Sequence, residues 1–209
     1  MTLAEQVAKR VGEDPEIIIL KMPDKMPDVS PHPLIAAADV QNGAMIAFVP
    51  HVEDVLELAQ EDGEELNQLH TTVFYLGDAE DFDVDHRMDL HDAIAGIASR
   101  QPPIVGDVFG FSIWNPSSDE PCLVADVGGS DLEDAYESVA DLLADMEDDL
   151  PTIPEQHDPW RPHITLKYGV TQIPGELLDK TGSVTFDRIR LASTWAWRKR
   201  SGSRTNAIR

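Results

Sequence analysis

Two rhythms of apolar residues run through this 209-residue chain, one of period two and one near 3.6. EIIILKM (16–22) reads as a short strand, after a possible helix over residues 2–10. KMPDKMPDVSPHP (21–33) follows, with four prolines in thirteen residues, and predicts an extended linker. AMIAFVP (44–50) is a strand stopped by Pro50, and apolar positions 52, 55, 56 and 59 then have helical spacing. LHTTVFYLG (69–77) is β-branched and aromatic, which predicts a second strand of the main domain. Residues 84–100 place Met88, Leu90, Ile94 and Ile97 at helical intervals. Ile104–Trp114 and Cys122–Val127 read as two strands joined by the turn NPSSDEP. A helix over 131–149 carries the stripe Leu132, Ala135, Val139, Leu142, Leu143 and Met146, with nine acidic residues mostly on its solvated faces. HITLKYG (163–169) and VTFDRIRLA (184–192) are the last strands, the second with an alternation that breaks around Asp187. The order β-α-β-α-β-β-α-β-β predicts an α+β domain over 43–194 with mainly antiparallel pairing and helices on one sheet face. Residues 1–42 form an extension and 195–209 a tail.

Composition places the chain among ordinary globular proteins, with 42% hydrophobic and 26% charged residues. No apolar run approaches the ~18 residues of a bilayer span, and the N-terminus has no secretory pattern. The single cysteine, Cys122, excludes a disulfide framework and a cysteine-rich zinc site, which suits a cytoplasmic location. The net charge of −23 is the unusual feature. It opposes binding to long double-stranded nucleic acid. The imbalance is also uneven, because residues 188–209 hold seven basic residues and no acidic one. That tail is either a solvated terminus or a basic lip that gathers an anionic ligand.

The chemistry lies in two strands with one pattern. His70-Thr71-Thr72-Val73-Phe74-Tyr75 and His163-Ile164-Thr165-Leu166-Lys167-Tyr168 both read H-x-T-apolar-x-Y, 93 residues apart. Seven His and ten Thr in 209 residues predict roughly 0.3 occurrences of H-x-T by chance. A shared apolar residue and Tyr at the same offsets, inside a strand both times, make coincidence far harder. In a strand, residues i and i+2 share a face about 7 Å apart. His70 therefore sits with Thr72, and His163 with Thr165. If a pseudo-twofold relates the halves, the two pairs meet across one groove. One imidazole can then remove a proton from an attacking hydroxyl or water while the other protonates the leaving oxygen of a phosphodiester. The threonine hydroxyls can donate to the non-bridging oxygens. This chemistry requires no metal and no cofactor. The chain contains no GxGxxG, GxSxG, HExxH or Walker loop.

Strict alternation also assigns the neighbours. Lys167 falls on the His163 face, either beside the phosphate or as a solvated strand lysine. Phe74 falls on the His70 face, as a base stacker or a groove wall. Tyr75 and Tyr168 fall on the opposite face and read as packing. Trp160 and Arg161, in HDPWRPH, precede the second motif. Trp160 either stacks on a base or packs at the sheet edge, and Arg161 either pairs with a phosphate or with a carboxylate.

These two motifs, their half-chain spacing, Gly77 and Pro162 resemble the 2H phosphoesterase superfamily, also called the LigT-like or 2′-5′ RNA ligase family. The strings MIAFVP, QLHTTVFYLGD, PHITLKYG and VTFDRIRLA look like its actinobacterial and actinophage versions. The resemblance covers residues 43–192. It implies a bilobal fold of two ferredoxin-like halves around a central cleft. It implies that His70 and His163 are catalytic and that Thr72 and Thr165 bind phosphate. It implies a short or cyclic nucleotide substrate, with 2′-5′ linkages or cyclic phosphates among the candidates. A phage origin would point to an immune-signalling cyclic oligonucleotide. Two other readings compete: a module that sequesters such a nucleotide without cleaving it, and an interaction protein using the acidic helix and basic tail.

Overall fold

The computed structural model describes residues 20–21 and 43–193. The expected helix over 2–10, most of the proline-rich linker and the tail from 194 lie outside the described residues. Strand β1 (Leu20–Lys21) is followed by β2 (Gly43–Pro50), helix α1 (Val52–Leu58), β3 (Thr71–Asp78) and α2 (Val84–Ala98). Then come β4 (Ile104–Trp114), β5 (Cys122–Gly128), α3 (Ser130–Asp145), β6 (His163–Tyr168) and β7 (Gly182–Ser193). Short 3-10 turns lie at Ala79–Asp81 and Gly175–Leu177. Among the described residues no helix is long and apolar enough to cross a membrane.

Every pairing among these strands is antiparallel. The strands run in the order β3-β2-β7-β4-β5-β6, with β1 also on β7. The two halves thus share a strand. β7 pairs with β4 over residues 182–186 and with β2 over 186–193. The sheets of the two expected lobes are joined into one hydrogen-bonded path, and its two ends carry the repeated motif.

The core lies between one face of this sheet and helices α2 and α3, which pack on β7 and β4 and touch each other. Ile46, Phe48, Leu90, Ile94, Leu132, Val139, Ile164, Phe186 and Ile189 are fully buried there. The alternation that breaks at Asp187 has a structural cause. The register between β2 and β7 slips between Val49/Arg188 and Pro50/Phe186, leaving Asp187 as a bulge. Val184 and Phe186 face the core before the bulge, and Ile189 and Leu191 after it. Arg190 is thereby turned to the other face of the sheet.

Candidate active site

β3 and β6 approach each other although they are opposite ends of the strand order. The segment before β6 ties them together. Trp160 Nε1 donates to the Thr72 carbonyl at 3.0 Å. Gln156 grips the outer edge of β3, accepting from Tyr75 N at 2.9 Å and donating to Tyr75 O at 3.0 Å. Pro154 lies beside Gly77, which has φ 101° and where an added Cβ would meet the proline ring at 3.3 Å. From the other side, Glu64 N donates to the Leu166 carbonyl at 2.8 Å. Three stacked rings complete the bridge: Phe74 on Tyr136, with centroids 5.0 Å apart, and Tyr136 on Trp160, 4.4 Å apart.

The two histidines are held in the same way. His70 Nδ1 lies 2.5 Å from the carbonyl of Gln68, two residues upstream. His163 Nδ1 lies 2.9 Å from the carbonyl of Arg161, also two residues upstream. Each Nδ1–H donates to its carbonyl, which leaves each Nε2 for chemistry. The rings are near enough that the charge of His163 is felt at His70. His70 stands just before its strand, because Nδ1 closes a turn back to Gln68.

Their surroundings differ. Burial, and then the Arg190 guanidinium, push His70 down to about 3 from the ordinary imidazole value. Arg190 is 1% exposed, its Nη1 is 3.4 Å from His70 Nδ1, and its Nη2 donates to the Asn67 carbonyl. Burial lowers Arg190 itself to about 9, which leaves it charged at neutral pH. His163 is lowered mainly by burial, against which the Arg161 carbonyl and the charge of Asp126 act. Its ring lies on Trp114, with centroids 4.0 Å apart.

Both motif strands bulge at the same place. Ala47 pairs with Thr72 and Ile46 with Phe74, which leaves Val73 extra. Val124 pairs with Thr165 and Leu123 with Lys167, which leaves Leu166 extra. Each bulge follows the motif threonine and reverses the alternation after it. Four sequence expectations change as a result. Tyr75 and Tyr168, read as packing, are 39% and 49% exposed and share the threonine face. Phe74, read as a base stacker or groove wall on the His70 face, is 8% exposed and packs on Tyr136. Lys167 is turned from the His163 face, and its ammonium donates to the Glu61 carbonyl at 2.6 Å.

Of the flanking pair, Trp160 packs, with one ring face on Tyr136 and its N–H on Thr72. Arg161 contributes its carbonyl to His163 while its side chain is exposed. The basic lip loses two members. Arg188 bonds Asp187 and the Pro50 carbonyl, and Arg190 is buried beneath His70. Thr72 Oγ1 lies 3.7 Å from Met45 Sδ, a weak contact that leaves its hydroxyl available to a stronger acceptor. Arg190 is the residue that sequence reasoning missed at the site. Its signal was a charge inside the apolar run Ile189, Leu191, Ala192.

Several solved structures are similar to this chain. The Thermus thermophilus protein TT0787 has a TM-score of 0.48 at 17% identity, covering 72% of this chain and 84% of that one. A phosphoesterase gives 0.49 at 16% identity, covering 73% and 94%. E. coli LigT complexed with 3′-AMP gives 0.46 at 17% identity, also covering 73% and 94%. No family model matches the chain, and no curated protein matches it.

Proposed function

We propose that this protein is a metal-independent phosphodiesterase of the 2H type that hydrolyses a short or cyclic nucleotide. One observation carries the reading. Two H-x-T motifs from opposite ends of the sheet are brought side by side, each with Nδ1 tied to the carbonyl two residues upstream. That arrangement fixes both tautomers and gives the site one nitrogen to take a proton and one to give it. Thr72 and Thr165 add hydroxyl donors for the phosphate oxygens, where negative charge grows in the transition state. The net charge of −23 disfavours a long polyanion and fits a small ligand bound at a few contacts.

The test is turnover of a panel containing 2′-5′ and 3′-5′ dinucleotides, 2′,3′-cyclic phosphates and cyclic dinucleotides, with EDTA present and products read by mass spectrometry. Cleavage of at least one substrate that persists in EDTA and disappears in His70→Ala and His163→Ala supports the reading. Tight nucleotide binding without turnover would replace the enzyme with a sequestering module.

A further inference from the structure

The pseudo-twofold that exchanges β3 with β6 and β2 with β5 also exchanges β7 with β4. In the first half a cross-strand row runs Thr72, Ala47, Arg190. In the second half the matching row runs Thr165, Val124, Ser112. The rows begin alike, at the motif threonines, and end in opposite electrostatics. Ser112 donates to Asp126 at 3.1 Å and accepts from Trp114 Nε1 at 3.0 Å, and Asp126 stands across from His163. Arg190 has no carboxylate partner among the described residues, and its buried Nε has no hydrogen-bond partner there. A buried guanidinium without a counter-charge is costly. Its cost falls on one histidine only.

We propose that Arg190 is a positioning residue that gives the two histidines different roles: its charge beside His70 Nδ1 keeps that ring neutral as the base, while His163, facing Asp126, carries the proton as the acid. The inference rests on the phosphodiesterase reading above. His70 faces Arg190 from β7, His163 from β6 and the Gln68 carbonyl from its own loop. His163 faces Asp126 from β5, the Trp114 ring from β4 and the Arg161 carbonyl. Arg190 also feels Arg188 along β7, a second cation rather than a counter-charge. Because Nδ1 of His70 already donates to Gln68, Arg190 acts on this ring as a charge and not as a hydrogen-bond donor.

In hydrolysis, water gives a proton to His70 Nε2 as its oxygen bonds to phosphorus. The bond from phosphorus to the leaving sugar oxygen breaks, and that oxygen takes the proton from His163 Nε2. The cycle ends with His70 protonated and His163 neutral. Arg190 then favours release of the His70 proton to solvent, and His163 takes one back.

Two experiments on the full chain test this. The first is an NMR titration of labelled histidines without nucleotide. His70 is expected to titrate at least about one pH unit below His163. Arg190→Met should raise the His70 midpoint and leave His163 nearly unmoved, and Arg190→Lys should keep it low. An equal or reversed order in the unaltered protein overturns the proposal, and so does a folded Arg190→Met with an unshifted His70. If that variant does not fold, the order in the unaltered protein still decides. The second compares a dinucleotide with a nucleotide 4-nitrophenyl diester, whose leaving group needs no proton. His163→Ala should lose at least about tenfold less on the nitrophenyl ester than on the dinucleotide, and His70→Ala should lose equally on both. The opposite pattern overturns the assignment. Full turnover in both histidine variants would overturn the phosphodiesterase reading and the roles with it, even where the titration order holds, so the two failures are told apart.

Discussion

Around His163 stand Trp114, with its ring centroid 4.0 Å away, and Asp126 across the strand pair. Around His70 stands Arg190, with Nη1 at 3.4 Å and no carboxylate among the described residues to offset its charge. The strands that present the two rings repeat each other down to the bulge after the threonine. A repeated backbone therefore sets where the two imidazoles and hydroxyls point. Unrepeated neighbours, drawn from β4, β5 and β7, give each imidazole different electrostatic surroundings. Geometry and protonation are specified by different strands, so each can be perturbed without the other.

The largest effect should come from removing the rings themselves. His70→Ala and His163→Ala should each lower kcat/KM by roughly 10²–10⁴ on a dinucleotide. The double variant should lose far less than the product, since groups acting as one unit are not additive. Steady-state kinetics on folded protein checks this, and near-normal turnover in either single variant would break the pairing. Next are the hydroxyls. Thr72→Val and Thr165→Val should each cost up to about 10²–10³-fold, mostly in kcat, with little change in melting temperature. A loss in only one would show that the phosphate leans on one half.

The pH dependence sharpens the difference between the halves. Under the proposed roles, catalysis needs His70 neutral and His163 protonated. His163 is lowered by burial, so the alkaline limb of kcat/KM should lie below the ordinary imidazole value of about 6.5. An alkaline limb well above that value would contradict the assignment. Stability should move as well. His70 in the fold takes its proton only near 3, whereas the unfolded imidazole takes it near 6.5. Between these values the unfolded chain binds more protons, and stability falls as pH falls. Its contribution is fully present above about pH 6.5. Over about pH 6.5 to 5, His70→Ala should flatten the decline by up to roughly 1.4 kcal/mol per pH unit, measured by denaturant unfolding.

The smallest effect concerns the bridge between the halves. Gln156→Ala removes both hydrogen bonds to Tyr75 and should cost about 1–2 kcal/mol in unfolding free energy. It should raise KM more than it lowers kcat. An unchanged melt would show that the three-ring stack alone holds β3 beside β6.

Much of this was legible in the chain. The nine elements of the main domain follow from the apolar pattern, because most bury one face or one stripe and β2, buried on both faces, reads as a continuous apolar run. The pairing of His70 with Thr72 and of His163 with Thr165 follows from period two, which holds up to each threonine. It fails one residue later. A bulge inserts a residue with no compositional mark, and Val73 and Leu166 look like ordinary strand residues. Alternation therefore puts Phe74, Tyr75, Lys167 and Tyr168 on the wrong faces through the same single-residue slip. Arg190 is hidden differently. Counted with the basic tail, it looks like solvated charge, and only the bulge at Asp187 turns it beneath His70. The disturbed alternation at Asp187 is visible in the sequence, but its consequence three residues later is not.

The shared strand has a consequence for how the molecule comes to exist. β7 lies in the middle of the strand order and near the end of the chain. During synthesis β2 and β3 can pair, and so can β4, β5 and then β6, but β2 and β4 each lack their second neighbour until residues 182–193 leave the ribosome. The growing chain must carry two half-built sheets, each with an exposed edge, until those residues emerge. The final strand joins them, and in the same step delivers Arg190 to His70. Arg190 thus reaches His70 only with β7, and a nascent chain stalled before that strand would hold His163 beside Trp114 and Asp126 but His70 without its cation.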